Sequence, residues 1–149
     1  MRALPKKLAD LLDALALFPD PAERTNLLLS YADQFREVPP SVATRPFPKS
    51  HQVPQCESDA YVWANLLPDG TLKLYFAVES PAGVSAKALA AILDKTLSGL
   101  KPDDIASVPP DIVEQIFRQH ISMGKGLGLM SMVQAVRALA KQARTKPAN

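Results

Sequence analysis

The chain of 149 residues holds one thiol, Cys56, in the run Val53-Pro54-Gln55-Cys56-Glu57-Ser58. A thiolate can act as nucleophile, metal ligand or sulfur carrier, and its surroundings decide which. One cysteine excludes an internal disulfide, a CxxC redox pair and a Cys-rich zinc or iron–sulfur cage. Two readings stay open: a small buried hydrophobe, or a reactive thiol presented on a loop. The polar neighbours Gln55, Glu57 and Ser58 suit the second, as does a place just before a strand-patterned segment, where a rigid element can position a loop residue. His51 lies five residues upstream and could tune thiolate formation. A pairing of Cys56 with His120 as nucleophile and base would describe a hydrolase, although His120, near a helix end, also suits a solvated or capping residue. Gly124, Gly126 and Gly128 lack the strand and the GxGxxG or GK[ST] pattern of a phosphate loop, so they read as a turn or hinge. Asp103-Asp104 reads as an acidic pair at a helix start, with no metal site. Met123, Met130 and Met132 read as core filler.

The elements that must hold Cys56 follow from periodicity. Leu4, Leu8, Leu11, Leu12 and Leu15 share one helical stripe over 4–17, which Phe18-Pro19 ends. Asp20-Pro21-Ala22-Glu23 supplies an N-cap, a first-turn proline and an answering acid for a second helix over 21–36, with Leu27, Leu28, Tyr31 and Phe35 inward. Prolines forbid regular helix from Glu37 to Gln55, so this segment is expected to cover the sheet irregularly, with Ser50–Pro54 able to form a short edge strand. Ala60, Val62, Ala64 and Leu66 alternate with Tyr61, Trp63 and Asn65, and Leu72, Leu74, Phe76 and Val78 alternate in turn around Pro68-Asp69-Gly70. This predicts a hairpin of 59–67 with 71–79. Ser85 is expected to cap a third helix that Gly99 ends. A single turn over 102–106, a helix from Pro110 to Phe117, and a last helix over 129–143 complete the chain. The order predicts one α+β domain over 1–149, with a small antiparallel sheet of about three strands packed against helices.

Composition sets the limits. Leu, Ile, Val and Phe make up 40 of the 149 residues, above the roughly 20% share below which chains stay disordered. Five of the 14 prolines fall between Pro39 and Pro54. Residues 115–149 carry six basic side chains and no acid. That asymmetry suits either a nucleic-acid-binding module or a basic last helix favoured by its own dipole. No interleaving of aromatic and basic residues supports the former. The basic N-terminus is followed by an apolar run broken by Asp10 and Asp13, which fits neither signal peptide nor membrane span, and a cytoplasmic protein is expected.

Gln52-Val53-Pro54-Gln55-Cys56-Glu57-Ser58, the hairpin bearing Tyr61 and Trp63, and the ending Gly124-Lys125-Gly126-Leu127-Gly128-Leu129 through Met132-Val133-Gln134-Ala135-Val136-Arg137 together resemble the SufE family over residues 5–142. The resemblance implies a fold shared with NifU/IscU scaffold proteins. It further implies a sulfur acceptor: Cys56 takes persulfide sulfur from a SufS-like cysteine desulfurase, stimulates that enzyme, and passes sulfur to a SufB-like scaffold for iron–sulfur cluster assembly. Pyridoxal phosphate would belong to the desulfurase, and this chain would need no cofactor or metal. Glu57, Ser58 and Lys125 would support the thiol, with Lys125 on the side of Cys56, favouring thiolate and guiding an acidic partner. Nucleic acid and membrane would not be partners, and the protein would be a monomer or weak homodimer. Gln55 stands where the family has Gly, and Tyr61 where it commonly has Trp. Lys125 and Leu127 stand where it has Arg followed by Asn or Gln.

Overall fold

The leucine stripe forms as its spacing requires. Leu8, Leu11, Leu12 and Leu15 are buried along α1 (Lys6–Ala16). The computed structural model describes residues 3–118 and 122–144. In α2 (Pro21–Asp33), the Asp20 carboxylate accepts from the Ala22 N–H at 3.2 Å, and Pro21 occupies the first turn. Leu28 is buried, Leu27 and Tyr31 are half-buried, and Phe35 lies just beyond the helix.

The residue that periodicity does not suggest on this face is Arg24, which is 1% exposed. Its Nη2 donates to the Leu15 carbonyl at 2.7 Å, and its Nη1 donates to Ile116 at 3.0 Å and Gln115 at 3.3 Å. Leu15 lies in the last turn of α1, and Gln115 and Ile116 in the last turn of a later helix, Ile112–Phe117. The guanidinium therefore sits where carbonyls and helix dipoles are negative. Burial, and secondarily the charge of Arg118, pull its pKa below the usual guanidinium value.

The sheet is β1 (Ala60–Leu66) paired antiparallel with β2 (Leu72–Val78), in a register running from Ala60 opposite Val78 to Leu66 opposite Leu72. Two strands form where about three were expected. The chain at 49–51 makes a 3-10 turn, and a single bridge of Gln52 with Tyr61 is all that remains of the third. The His51 and Gln52 N–H groups are taken up within that turn, and Pro54 has none to donate, so no ladder extends. On the far edge, one parallel bridge joins Glu37 to Phe76.

Period two sends the residues to two faces. Val62, Leu72, Leu74, Phe76 and Val78 enter the main core under the helices. Tyr61, Trp63 and Ala77 face the other way, covered by Val38 and Phe47 of the proline-rich segment. That segment thus packs as an irregular cover, pinned by Arg45, which bonds to Glu37 and Glu79.

Helix α3 (Val84–Leu97) starts one residue before the expected Ser85. Gly83 is its N-cap, and no side chain caps it. Gly99 ends it as expected, at φ +91°, and its N–H donates to the Leu72 carbonyl at 2.8 Å. The single turn α4 (Pro102–Ala106) and α5 (Ile112–Phe117) lead to α6 (Met123–Arg144). The glycine-rich run that read as a break is therefore the first turns of α6. Ser122 starts it, its Oγ accepting from the Lys125 N–H at 3.2 Å and its carbonyl from Gly126 at 2.9 Å. Met132, Val133, Val136 and Ala140 carry α6 into the core. Met132 is core filler as expected, whereas Met123 is 85% exposed. No helix among the described residues is long and apolar enough to cross a membrane.

Arg24→Met keeps apolar volume but takes the guanidinium from three carbonyls, of which Leu15 retains the Phe18 N–H. The expected loss is about 3 kcal/mol, a fall in melting midpoint of roughly 10 °C for a chain of this size. Thermal and denaturant unfolding read it directly, and an unchanged midpoint would show that the guanidinium adds no net stability.

Candidate functional site

Cys56 lies on a loop that leaves the edge of β1 and returns to it. The Val53 N–H donates to the Ala60 carbonyl at 2.8 Å, closing the loop at its base. Within it, the Asp59 N–H donates to the Cys56 carbonyl at 3.3 Å, so 56–59 is a turn. Gln55 at φ +61° and Asp59 at φ +50° bracket that turn in the left-handed region. Asp enters this region more readily than most residues. Gln55 adopts it where the family resemblance gives Gly, at a cost of about 1 kcal/mol. The Ser58 and Asp59 carbonyls accept from Ser80 and Glu79 at 3.1 and 3.2 Å, extending the hairpin to the loop.

Two helix starts hold the loop between them. A Cβ on Gly128 of α6 would lie 2.9 Å from the Gln55 carbonyl oxygen and 3.2 Å from the Cys56 Cα. A Cβ on Gly83, at the start of α3, would lie 2.7 Å from Val78 Cγ1 and 3.0 Å from Ser58 Cβ. At Gly128 only a residue without Cβ lets the two backbones approach so closely, whereas at Gly83 the atoms met are side chains. Gly124 is roomier, with Glu57 Oε1 the nearest atom at 3.8 Å from its would-be Cβ. The Glu57 carboxylate thus lies beside the N-terminal turn of α6, where negative charge is favoured.

Cys56 is half-buried and packs on the main core. Beneath the loop is a cavity of about 20 Å³ lined by Cys56, Glu57, Ser58, Ser85, Lys125 and Gly128 among others. That is room for one water-sized group. On the outer side, an open depression of about 510 Å³ is lined by Lys49, Gln52 and the loop from Val53 to Glu57. The thiol stands between a small crevice and an open surface.

The structure brings together four of the five expected site residues: Cys56, Glu57, Ser58 and Lys125 line one cavity. His51 is elsewhere. Its ring stacks on Trp63 at 5.3 Å and 21°, its Nδ1 lies 2.9 Å from the Val62 carbonyl, and it lines neither depression around Cys56. Since a carbonyl only accepts, Nδ1 carries the proton of that bond. Tyr61 and Trp63 share one face, as their spacing requires, with ring centroids 6.2 Å apart. His120 lies outside the described residues. Two of the six basic residues at this end are used within the fold: Arg144 pairs with Asp103 at 3.1 Å, and Arg137 donates to the Ala106 carbonyl at 3.1 Å. No cluster of metal-ligating side chains occurs among the described residues.

Gly83, Gly128 and the left-handed Gln55 position the site without being visible as site residues in the sequence. Ser122, three residues before Lys125, carried a readable N-cap signal for an earlier helix start.

The site is thus a single half-buried thiol on a clamped loop of a two-stranded α+β domain. The chain belongs to the SufE family: residues 9–140 match the family of Fe–S metabolism associated domains. A protein from Thermus thermophilus, solved in solution and described as hypothetical, has the same fold. It aligns with a TM-score of 0.76 and 26% identity over 97% of this chain and 100% of its own. No curated protein matches the chain. Family membership associates the protein with Fe–S metabolism.

The glycine contacts separate two substitutions of equal helix propensity. Gly124→Ala meets only ordinary contact and should stabilise α6 by up to about 1 kcal/mol. Gly128→Ala gains the same propensity but must displace the Gln55–Cys56 backbone. Cys56 should then alkylate several-fold faster than in the parent, with the unfolding midpoint little changed. Equal labelling rates in the two variants would show that Gly128 does not hold the loop.

Proposed function

We propose that this protein is a sulfur acceptor in iron–sulfur cluster assembly, carrying sulfur as a persulfide on Cys56. The observation that carries the reading is the position of the chain's single thiol, half-buried between a cavity of about 20 Å³ and an open surface. Transfer needs a thiol that a partner can reach, and storage needs one that bulk reductant reaches slowly. A thiol at such a boundary meets both needs through a small movement of its loop.

The donor in this reading is a cysteine desulfurase whose own cysteine bears the persulfide; pyridoxal phosphate works in that enzyme. The Cys56 thiolate attacks the outer sulfur of the donor persulfide. A new S–S bond forms on Cys56, the donor S–S bond breaks, and the donor cysteine leaves as thiolate. No electrons are lost or gained overall, so this step needs no external oxidant or reductant. Having no second thiol in the chain protects the product, because an internal thiol would release the sulfur as sulfide and close a disulfide. Lys125 lines the cavity with Cys56 and supplies positive charge for the anionic sulfur in transit. The carrier then hands its sulfur to a scaffold on which clusters are built. It works in the cytoplasm as a monomer or weak homodimer.

Cys56→Ser tests the relay. The change replaces one atom in a half-buried loop and should leave unfolding nearly unchanged. Incubated with a cysteine desulfurase and free cysteine, the parent should gain the mass of one sulfur, removable by reductant, and the variant none. Desulfurase turnover, read as alanine, should fall with the variant to its rate without this protein. A serine variant that stimulates turnover as well as the parent would sink the reading.

A further inference from the structure

Seven large apolar side chains stand exposed among the described residues, and three of them adjoin the glycines that abut the Cys56 loop. Val84 follows Gly83, Met123 precedes Gly124, and Leu127 precedes Gly128. Val84 is 40% exposed and Leu127 53%. Met123 and Leu127, four residues apart on α6, share one face. The loop therefore lies between two helix starts that each present apolar surface to solvent.

Val84 also borders an apolar socket of about 120 Å³, formed with Leu28, Leu29, Ala88 and Phe117. Leu29, itself 45% exposed, stands at this rim. Ser85 lines both this socket and the cavity beneath Cys56, so the two adjoin. Exposed apolar groups gathered around a reactive group mark an interaction surface, whereas isolated ones need no explanation.

The charges lining the two depressions are two lysines and one acid. Lys49 lines the outer depression and Lys125 the inner cavity, and neither makes an ion pair among the described residues. Glu57 is the acid lining these depressions, and its carboxylate already faces the start of α6.

We propose that Val84 and Leu29 on one flank, and Met123 and Leu127 on the other, form the face that docks the persulfide-bearing donor protein. That partner would set one aliphatic side chain in the socket beside Val84 and oppose carboxylates to Lys49 and Lys125. The inference rests on the acceptor reading and deepens it by naming the docking surface. Charge argues against a second copy of this chain as the occupant, because a two-fold contact through this face would oppose lysine to lysine.

The test compares two sulfur sources. Val84→Asp and Leu127→Glu place carboxylates at exposed positions in the opening turns of helices, where they suit the dipole yet repel an acidic apolar partner. With a purified cysteine desulfurase fed free cysteine, at concentrations below saturation, the double variant should load Cys56 about tenfold more slowly than the parent. With inorganic polysulfide, which needs no docking face, loading should stay within about twofold. Added salt should slow loading of the parent from the desulfurase and leave polysulfide loading unaffected. A double variant that matches the parent with the desulfurase overturns the docking face alone. A parent that loads from polysulfide but takes nothing from the desulfurase overturns the acceptor reading, and this inference with it. Sedimentation of the parent alone as a dimer that the two substitutions dissociate would assign the face to a second copy and overturn the proposal.

Discussion

The backbone of α6 at Gly128 rests directly on the backbone of the Cys56 loop, and much of the molecule serves that contact. A Cβ at this position would come within 2.9 Å of the Gln55 carbonyl oxygen, a separation no L-residue tolerates without movement. Reaching so close requires glycine in a helix, where each such residue costs about 1 kcal/mol relative to alanine. The first turns of α6 hold three glycines and are helical nonetheless. Ser122 caps them, and the apolar stripe from Leu129 to Ala140 anchors the rest of the helix in the core. Tertiary packing overrides local propensity here. The result is a loop held from one side by α6, from the other by the Gly83 turn, and from behind by the hairpin.

This arrangement keeps Cys56 neither buried nor free. A thiol deep in the core is inert, and one on a mobile tail has nothing to shield it. Backbone contacts hold the loop without deep burial of large side chains, so opening it exposes little apolar surface. The loop can therefore move while the core stays intact. The core itself is secured at a distance from the site, where Arg24 ties α1, α2 and α5 through their carbonyls.

Much of this was legible beforehand, for definite reasons. Leu8 to Leu15, the Asp20–Pro21 cap, and the alternation across Tyr61–Trp63 and Leu74–Phe76 are local patterns, and each specifies an element without knowledge of its neighbours. Composition likewise excludes disulfides, since a lone cysteine has no partner in the chain. The gathering of Cys56, Glu57 and Ser58 is contiguous, and Lys125 joins them through the family resemblance. The misreadings share one cause. The glycines of α6, the start of α3, the curtailed third strand and the exposed Met123 all depend on what lies against them in space.

What the sequence by itself determined is the chain's one thiol and the elements that carry it. A lone thiol rules out disulfide and cysteine-cage chemistry within the chain, and periodicity specifies faces because side-chain direction repeats with the backbone. Only the tertiary structure decided which groups meet at that atom. Gln55 adopts a left-handed backbone because the turn between two helix starts requires it, although its side chain does not favour it. His51, close in sequence, is drawn into the aromatic layer by Trp63 and the Val62 carbonyl. Lys125, distant in sequence, arrives beside the thiol because Gly128 lets α6 approach. Close approach is a property of two surfaces together, and a linear pattern encodes only one of them at a time.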